Sequence, residues 1–227
     1  MDLFKVSFWK YLGILLILYT ILAGFLIPVP DLPIIHESIR NLFFHVCMWF
    51  GMIFMFGTSM VYSIKYLSGF NEKHDIVASE ASKTGIMFGI LGLVTGMTWA
   101  KNTWGAYWVN DPLLNGAAVT MLVYSAYMVL RNSLDEEHKR AKVSAVYNIF
   151  AFVILILFLF ILPKMADASL HPGKGKDATM TVKELDNTMR LVFYPAVVGW
   201  IILGFWFLNL RVRMKVLENH INSLSGN

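Results

Sequence analysis

The sequence predicts an all-α fold: a polytopic membrane protein with six transmembrane helices. Three observations lead there. Mean hydropathy is +0.59. Charged residues make up 15% of the 227 positions and hydrophobic ones 57%, whereas soluble domains carry about a quarter charged residues. The apolar residues also cluster into six runs, about 8–27, 41–64, 84–99, 115–131, 143–162 and 190–208, near the ~17–25 residues a spanning helix needs. So large an apolar excess cannot be enclosed in one water-soluble core. The expected surroundings are the lipid bilayer. The net charge of +4 calls for no nucleic acid, because basic residues flank membrane helices on topological grounds. One cysteine, Cys47, excludes an internal disulfide and a cysteine-based metal site. The first ten residues enter the first run without a small-residue cleavage site, so no cleavable signal peptide is expected.

Taken in order, the first run stops at Pro28, and Pro28, Pro30 and Pro33 make a stiff extended turn in which no helix continues. The second run opens with Phe43, Phe44, His45 and Trp49. The third carries Gly85, Gly89, Gly92 and Gly96, a spacing that lets a neighbouring helix come close. Between the third and fourth lies Trp99–Pro112, rich in aromatic residues. Residues 132–142 read as a charged, solvated elbow before the fifth run. Leu170 to Lys176 reads as a flexible hydrophilic link before the sixth. The tail from Arg211 reads as a short basic helix that frays at its end. Of 19 Lys and Arg residues, the larger share flanks the side holding both termini. The positive-inside rule therefore puts the N- and C-termini in the cytoplasm and segments 28–40, 99–114 and 163–189 outside. The chain 1–227 reads as a single six-helix domain with a Trp-rich outer loop, 99–114.

That loop holds Trp99, Lys101, Trp104, Tyr107, Trp108 and Asp111. Each Trp or Tyr alone fits the aromatic belt at a membrane interface. Their concentration makes a ledge for a large planar ligand. Asp111, followed by Pro112, reads as the cap of a helix starting near Leu113. Among the six histidines, His74, His138 and His220 fall on the inner side and His36 on the outer surface. His45 sits about a turn into the second helix, where an ionisable group is a functional candidate, the alternative being a neutral interhelical hydrogen bond. His171, a surface residue if taken alone, projects to the same outer face. Neutral imidazole is the commonest protein ligand of haem iron, so His45 and His171 with the tryptophan ledge could hold a porphyrin at the membrane surface. Arg40 could pair with a propionate or simply snorkel from a helix end. Lys101 is a second cation of that kind. No catalytic Ser/His/Asp order, phosphate-cradling glycine loop or intramembrane acidic pair competes.

The run Trp104-Gly105-Ala106-Tyr107-Trp108-Val109-Asn110-Asp111, preceded by Trp99 and Lys101, resembles the tryptophan-rich "WWD" loop of the haem-handling proteins of cytochrome c maturation, the CcmC/CcmF/CcsA group, and most closely CcmC. Ser38-Ile39-Arg40, then four residues and His45-Val46, and His171 before the last helix, are similar to that family as well. The resemblance implies that His45 and His171 are axial ligands of a transiently bound haem b. It implies that Trp99, Trp104 and Trp108 line the haem edge and that Arg40 meets a propionate. It further implies haem delivery at the outer face of the bacterial inner membrane to a CcmE-like chaperone, beside a CcmA/CcmB-like ABC transporter and a CcmD-like small subunit. The role it implies is handling and transport rather than enzymatic. Tyr107 and Asn110 stand where the family pattern has tryptophan, and no arginine follows Asp111. Asp111-Pro112 is also similar to CcsA proteins, so a CcsA-type subunit of a cytochrome c haem lyase is the alternative. An electron carrier with haem at mid-bilayer would need histidine pairs at mid-helix depth on facing helices, and none of the six is so placed.

Overall fold

In a computed structural model, described over residues 8–31, 35–171 and 185–225, six helices are long and apolar enough to cross a membrane. They match the six runs, and among the described residues there is no strand. Helix α1 is Phe8–Leu26. A 3-10 helix, His36–Phe43, leads into α2, His45–Gly69. Then come α3, Glu72–Trp104, α4, Pro112–Asn132, and α5, Glu137–Ile156. A π-helical turn, Leu157–Ile161, joins α5 to the short α6, Leu162–Met165, and α7 is Asn187–Ser225. Pro33, the link after His171 and the lysines at 5, 174, 176 and 183 lie outside the described residues.

Several helices run past their apolar runs because polar side chains complete their ends. The Asn71 side chain accepts the Lys73 N–H at 3.0 Å, and Glu72 and Asp75 occupy the first turn of α3. Both favour a helix start well before residue 84. At its other end α3 continues through Trp99 to Trp104 and stops at Gly105, whose φ of +82° suits glycine. The aromatic segment is therefore partly helical, and the turn itself is 105–111. The elbow between α4 and α5 shrinks to 133–136, since Glu136 accepts the Lys139 N–H at 3.3 Å. The basic tail is the unbroken end of α7.

The tightest helix pair is α2 with α3, antiparallel across the glycine stripe. His45 lies opposite Gly96, Trp49 opposite Gly92, Met52 opposite Gly89, and Phe56 opposite Gly85. A Cβ on Gly96 would fall 2.6 Å from His45 Cε1, and one on Gly92 would fall 2.9 Å from Trp49 Cε2. The register continues as hydrogen bonding: Ser59 and Ser82 hydroxyls meet at 2.6 Å, and Asn148 of α5 donates to Ser63 at 2.9 Å. Such polar contacts hold helices together where lipid provides no hydrophobic drive.

The end of the bundle away from His45 is closed by charge. Arg131 donates to both Asp75 oxygens, at 2.8 and 2.6 Å. Glu80, 4% exposed, receives Lys83 at 2.6 Å and Arg211 at 2.9 Å, tying α3 to α7. Helix α7 contains Pro195, which cannot donate to the Leu191 carbonyl. The Tyr19 hydroxyl of α1 donates to that carbonyl instead, at 3.1 Å.

Phe56 is fully buried and stacked on Tyr124 at 3.4 Å between ring centroids, and a Cβ on Gly85 would stand 2.6 Å from its Cε1. Gly85→Ala is expected to cost about 1–3 kcal/mol, the usual range for overpacking, and to lower the thermal midpoint of the detergent-solubilised protein. Gly69→Ala, with nothing within 4 Å, is the control and should leave that midpoint nearly unchanged.

Candidate functional site

At the His45 end of the bundle a cavity of about 680 Å³ opens between the 3-10 helix, α2, α3, α4, the π turn and the start of α7. Its size falls within the ~300–1,000 Å³ of ordinary ligand pockets. The walls are mostly apolar and aromatic, with Trp49, Trp99, Trp104, Trp108, Phe160 and Phe193 among them. His45, His171 and Lys164 are in its lining, with the phenol of Tyr194.

His45 begins α2 and is 9% exposed. Its Nδ1 lies 3.0 Å from the Thr95 hydroxyl oxygen. That hydroxyl donates its one proton to the backbone, with Leu91 O at 2.8 Å, so its oxygen accepts from Nδ1–H. That arrangement places a proton-accepting oxygen at Nδ1 and leaves Nε2 without a hydrogen-bond partner among the described residues. The edges of Trp49 and Trp99 meet the imidazole with centroids at 6.2 and 5.8 Å. The Trp99 indole N–H donates to Ser38 at 2.9 Å, which fastens the 3-10 helix to α3 beside His45.

His171 is held by Asp111. Its Nδ1 donates to Asp111 Oδ1 at 2.8 Å, so Nε2 is the ring nitrogen not taken up by the carboxylate. Trp104 stands against the ring at 5.1 Å between centroids. Asp111, 1% exposed, gathers two segments. Oδ1 also accepts the Leu113 and Leu114 N–H groups at 2.9 and 3.3 Å, the helix cap expected from Asp-Pro. Oδ2 accepts the Ser169 hydroxyl and the Leu170 N–H, both at 2.8 Å. Burial by itself would raise the Asp111 carboxyl. The His171, Ser169 and Leu170 donors outweigh it and hold the group well below the usual carboxylate range.

The expected site residues thus divide. His45, His171, Trp99, Trp104 and Trp108 line one cavity. Asp111 stands behind His171. Arg40 and Lys101 are outside the lining and act as helix ends: Arg40 donates to Gly24 O and Ile27 O at 3.0 and 2.7 Å and to Glu37 at 2.6 Å, closing the C-terminus of α1. Lys101 donates to Gly105 O at 2.8 Å, closing α3, with its ammonium 5.8 Å from the Tyr107 ring. Tyr107 is 57% exposed. The Trp108 indole N–H reaches Asn115 at 3.3 Å. His36 pairs with Asp31 on the surface.

Sequence reasoning did not pick out Lys164, Thr95 or Ser169. Lys164 sits just past Pro163 at the end of the most apolar span, where it reads as an ordinary flanking cation. The π turn Leu157–Ile161 contributes Leu159 and Phe160 to the lining ahead of it. The Phe158 carbonyl lies where a Cβ of Gly116 would be, so α4 approaches the π turn at that glycine. A π turn leaves no periodicity signal in sequence.

The chain is similar to a heme exporter protein C of Bradyrhizobium diazoefficiens, 27% identical over 123 residues, 54% of this chain and 47% of the relative. It is similar to a heme exporter protein C of Haemophilus influenzae, 23% identical over 185 residues, 80% of this chain and 73% of the relative. A cytochrome c biogenesis protein CcsA of Prochlorococcus marinus is 30% identical over 89 residues, 39% of this chain and 28% of that protein. The match thus spans about half the length of the first of these relatives and under a third of the CcsA protein. The profile of the family CcmC, heme exporter protein C, matches residues 4–226, nearly the whole chain, and the chain belongs to that family.

Proposed function

We propose that this protein binds haem b transiently in the cavity between His45 and His171 and hands it on for attachment to c-type cytochromes. One observation carries the reading: two imidazoles from distant parts of the chain line one apolar cavity, each with Nδ1 engaged by a hydrogen-bond acceptor. Iron ligation by histidine uses a neutral ring nitrogen whose partner N–H is held by an outer acceptor. Both rings meet that requirement through Nε2. Trp99, Trp104 and Trp108 offer flat apolar faces for the macrocycle. Lys164, whose side chain is in the same lining, takes a propionate. The cations of Arg40 and Lys101 already serve carbonyls.

Family membership supports the wider role. The protein works as a handling and transport component in the inner membrane of a bacterium, with the cavity on the periplasmic side and both termini in the cytoplasm. A CcmE-like chaperone receives the haem, and CcmA/CcmB-like transporter subunits and a CcmD-like small subunit accompany the protein.

Haemin added to the purified protein is expected to give a low-spin, bis-histidine spectrum. His45→Ala and His171→Ala should each convert it to a high-spin form or abolish binding. A spectrum unchanged in both variants would rule out the ligand pair.

Asp111→Asn keeps a good helix cap but sets an amide NH₂ against the Ser169 and Leu170 donors. A Soret titration should show haem affinity about 10–100-fold weaker, the usual loss when a ligand's outer partner is removed. Because the folded Asp111 pKa is lowered, its contribution to stability is complete above the unfolded carboxylate pKa of about 3.9. It is lost only as pH falls through the lower folded value. Haem retention at neutral pH should therefore not depend on Asp111 titration.

Lys164→Ala should weaken binding of haemin about five-fold, as expected for loss of one accessible ion pair. It should leave the affinity for the dimethyl ester of haemin, which lacks carboxylates, unchanged.

A further inference from the structure

Helix α7 has 39 residues, about 58 Å at ~1.5 Å per residue, against a hydrocarbon core of roughly 30 Å. Toward its C-terminal end it is tied to the bundle by Arg211, paired with Glu80 at 2.9 Å, and by Val212, packed against the core. From Val216 to Leu224 every residue is exposed. A helix standing free of its bundle is expected to be polar all round. This one is not. Leu210, Met214, Leu217, Ile221 and Leu224 recur at spacings of four and three, and they are 41%, 69%, 55%, 61% and 66% exposed. That is a heptad stripe, with Met214 and Ile221 at a and Leu210, Leu217 and Leu224 at d. At ~100° per residue the stripe points away from Leu208 and Val212, which face the core. Among the described residues nothing covers it.

We propose that this projecting segment pairs with the same segment of a second copy of the chain as a short parallel coiled coil. Two observations select a second copy. Copies inserted in one membrane with one topology project their α7 ends on the same side and in the same direction, so a parallel seam is the geometry they meet in. In a parallel pair a g residue faces the e residue of the partner's following heptad. Here g is Arg213 and that e is Glu218, opposite charges, and symmetry forms the pair twice. Glu218 also has a partner on its own helix, Lys215 at 3.1 Å, but both side chains are exposed, so that contact is weak and shareable. Two heptads alone would be too short to pair in water. Anchoring in the bilayer makes the encounter effectively intramolecular, which removes much of that cost. The seam lies at the opposite end of the bundle from the cavity, so pairing leaves both cavities open.

The test uses the full-length protein in its native membrane, with a cysteine introduced at Leu217, Leu224 or Asn219. Cys47 is buried and the unsubstituted chain serves as the control. Mild oxidation should give disulfide-linked dimers of twice the mass from Leu217→Cys and Leu224→Cys, and none from Asn219→Cys, which lies at f. On the Leu217→Cys background, Arg213→Glu should lower the dimer yield several-fold, and Arg213→Glu with Glu218→Arg should restore it. Equal yields at all three positions, no dimer at either d position, cross-linking to a protein of different mass, or no restoration by charge exchange would each overturn the proposal.

Discussion

The structure depends on how closely α2 and α3 approach. Gly92 and Gly96 allow Trp49 and His45 to lie directly against the α3 backbone, and the same register brings Ser59 to Ser82 further along. The two helices thus meet along their length, and His45, 9% exposed, packs against α3. A larger residue on the stripe would separate the helices and move the imidazole with them. Packing in the membrane is driven by van der Waals fit and a few hydrogen bonds, because lipid is as apolar as the side chains. A small-residue stripe is therefore a strong positional device here.

A buried carboxylate does for the loops what the glycine stripe does for the helices. Asp111 closes the N-terminus of α4, receives the chain at Ser169 and Leu170, and holds the His171 ring. One group thus joins the turn after α3 to the segment after α6. Its five donors compensate its removal from water, the condition under which a buried charge is tolerated. The two histidines consequently reach the same cavity by different means, His45 on a rigid helix and His171 on a loop held by hydrogen bonds.

The cations show how chemically similar residues are separated by position. Arg40 and Lys101 both lie at helix C-termini, where unpaired carbonyls and the helix dipole attract positive charge, and both are absorbed there. Lys164 follows a π turn and faces the cavity. Side-chain type does not separate these three; the supply of nearby carbonyl oxygens does.

What the sequence determined by itself was the membrane class, the six helices, the glycine stripe as a packing face, the Asp111 cap, and His45 with His171 and the tryptophans as the notable group. These follow from composition, run length and local spacing, which need no knowledge of distant contacts. The helix bounds were less legible, since Asn71, Glu136 and Gly105 extend or end helices through single hydrogen bonds or one dihedral angle. Only the tertiary structure decided that His171 is bound to Asp111 sixty residues away, that Arg40 reaches back to the end of α1, and that Lys164 faces the cavity. Each of these is a contact between segments far apart in the chain, and its energy depends on a geometry that local sequence does not encode.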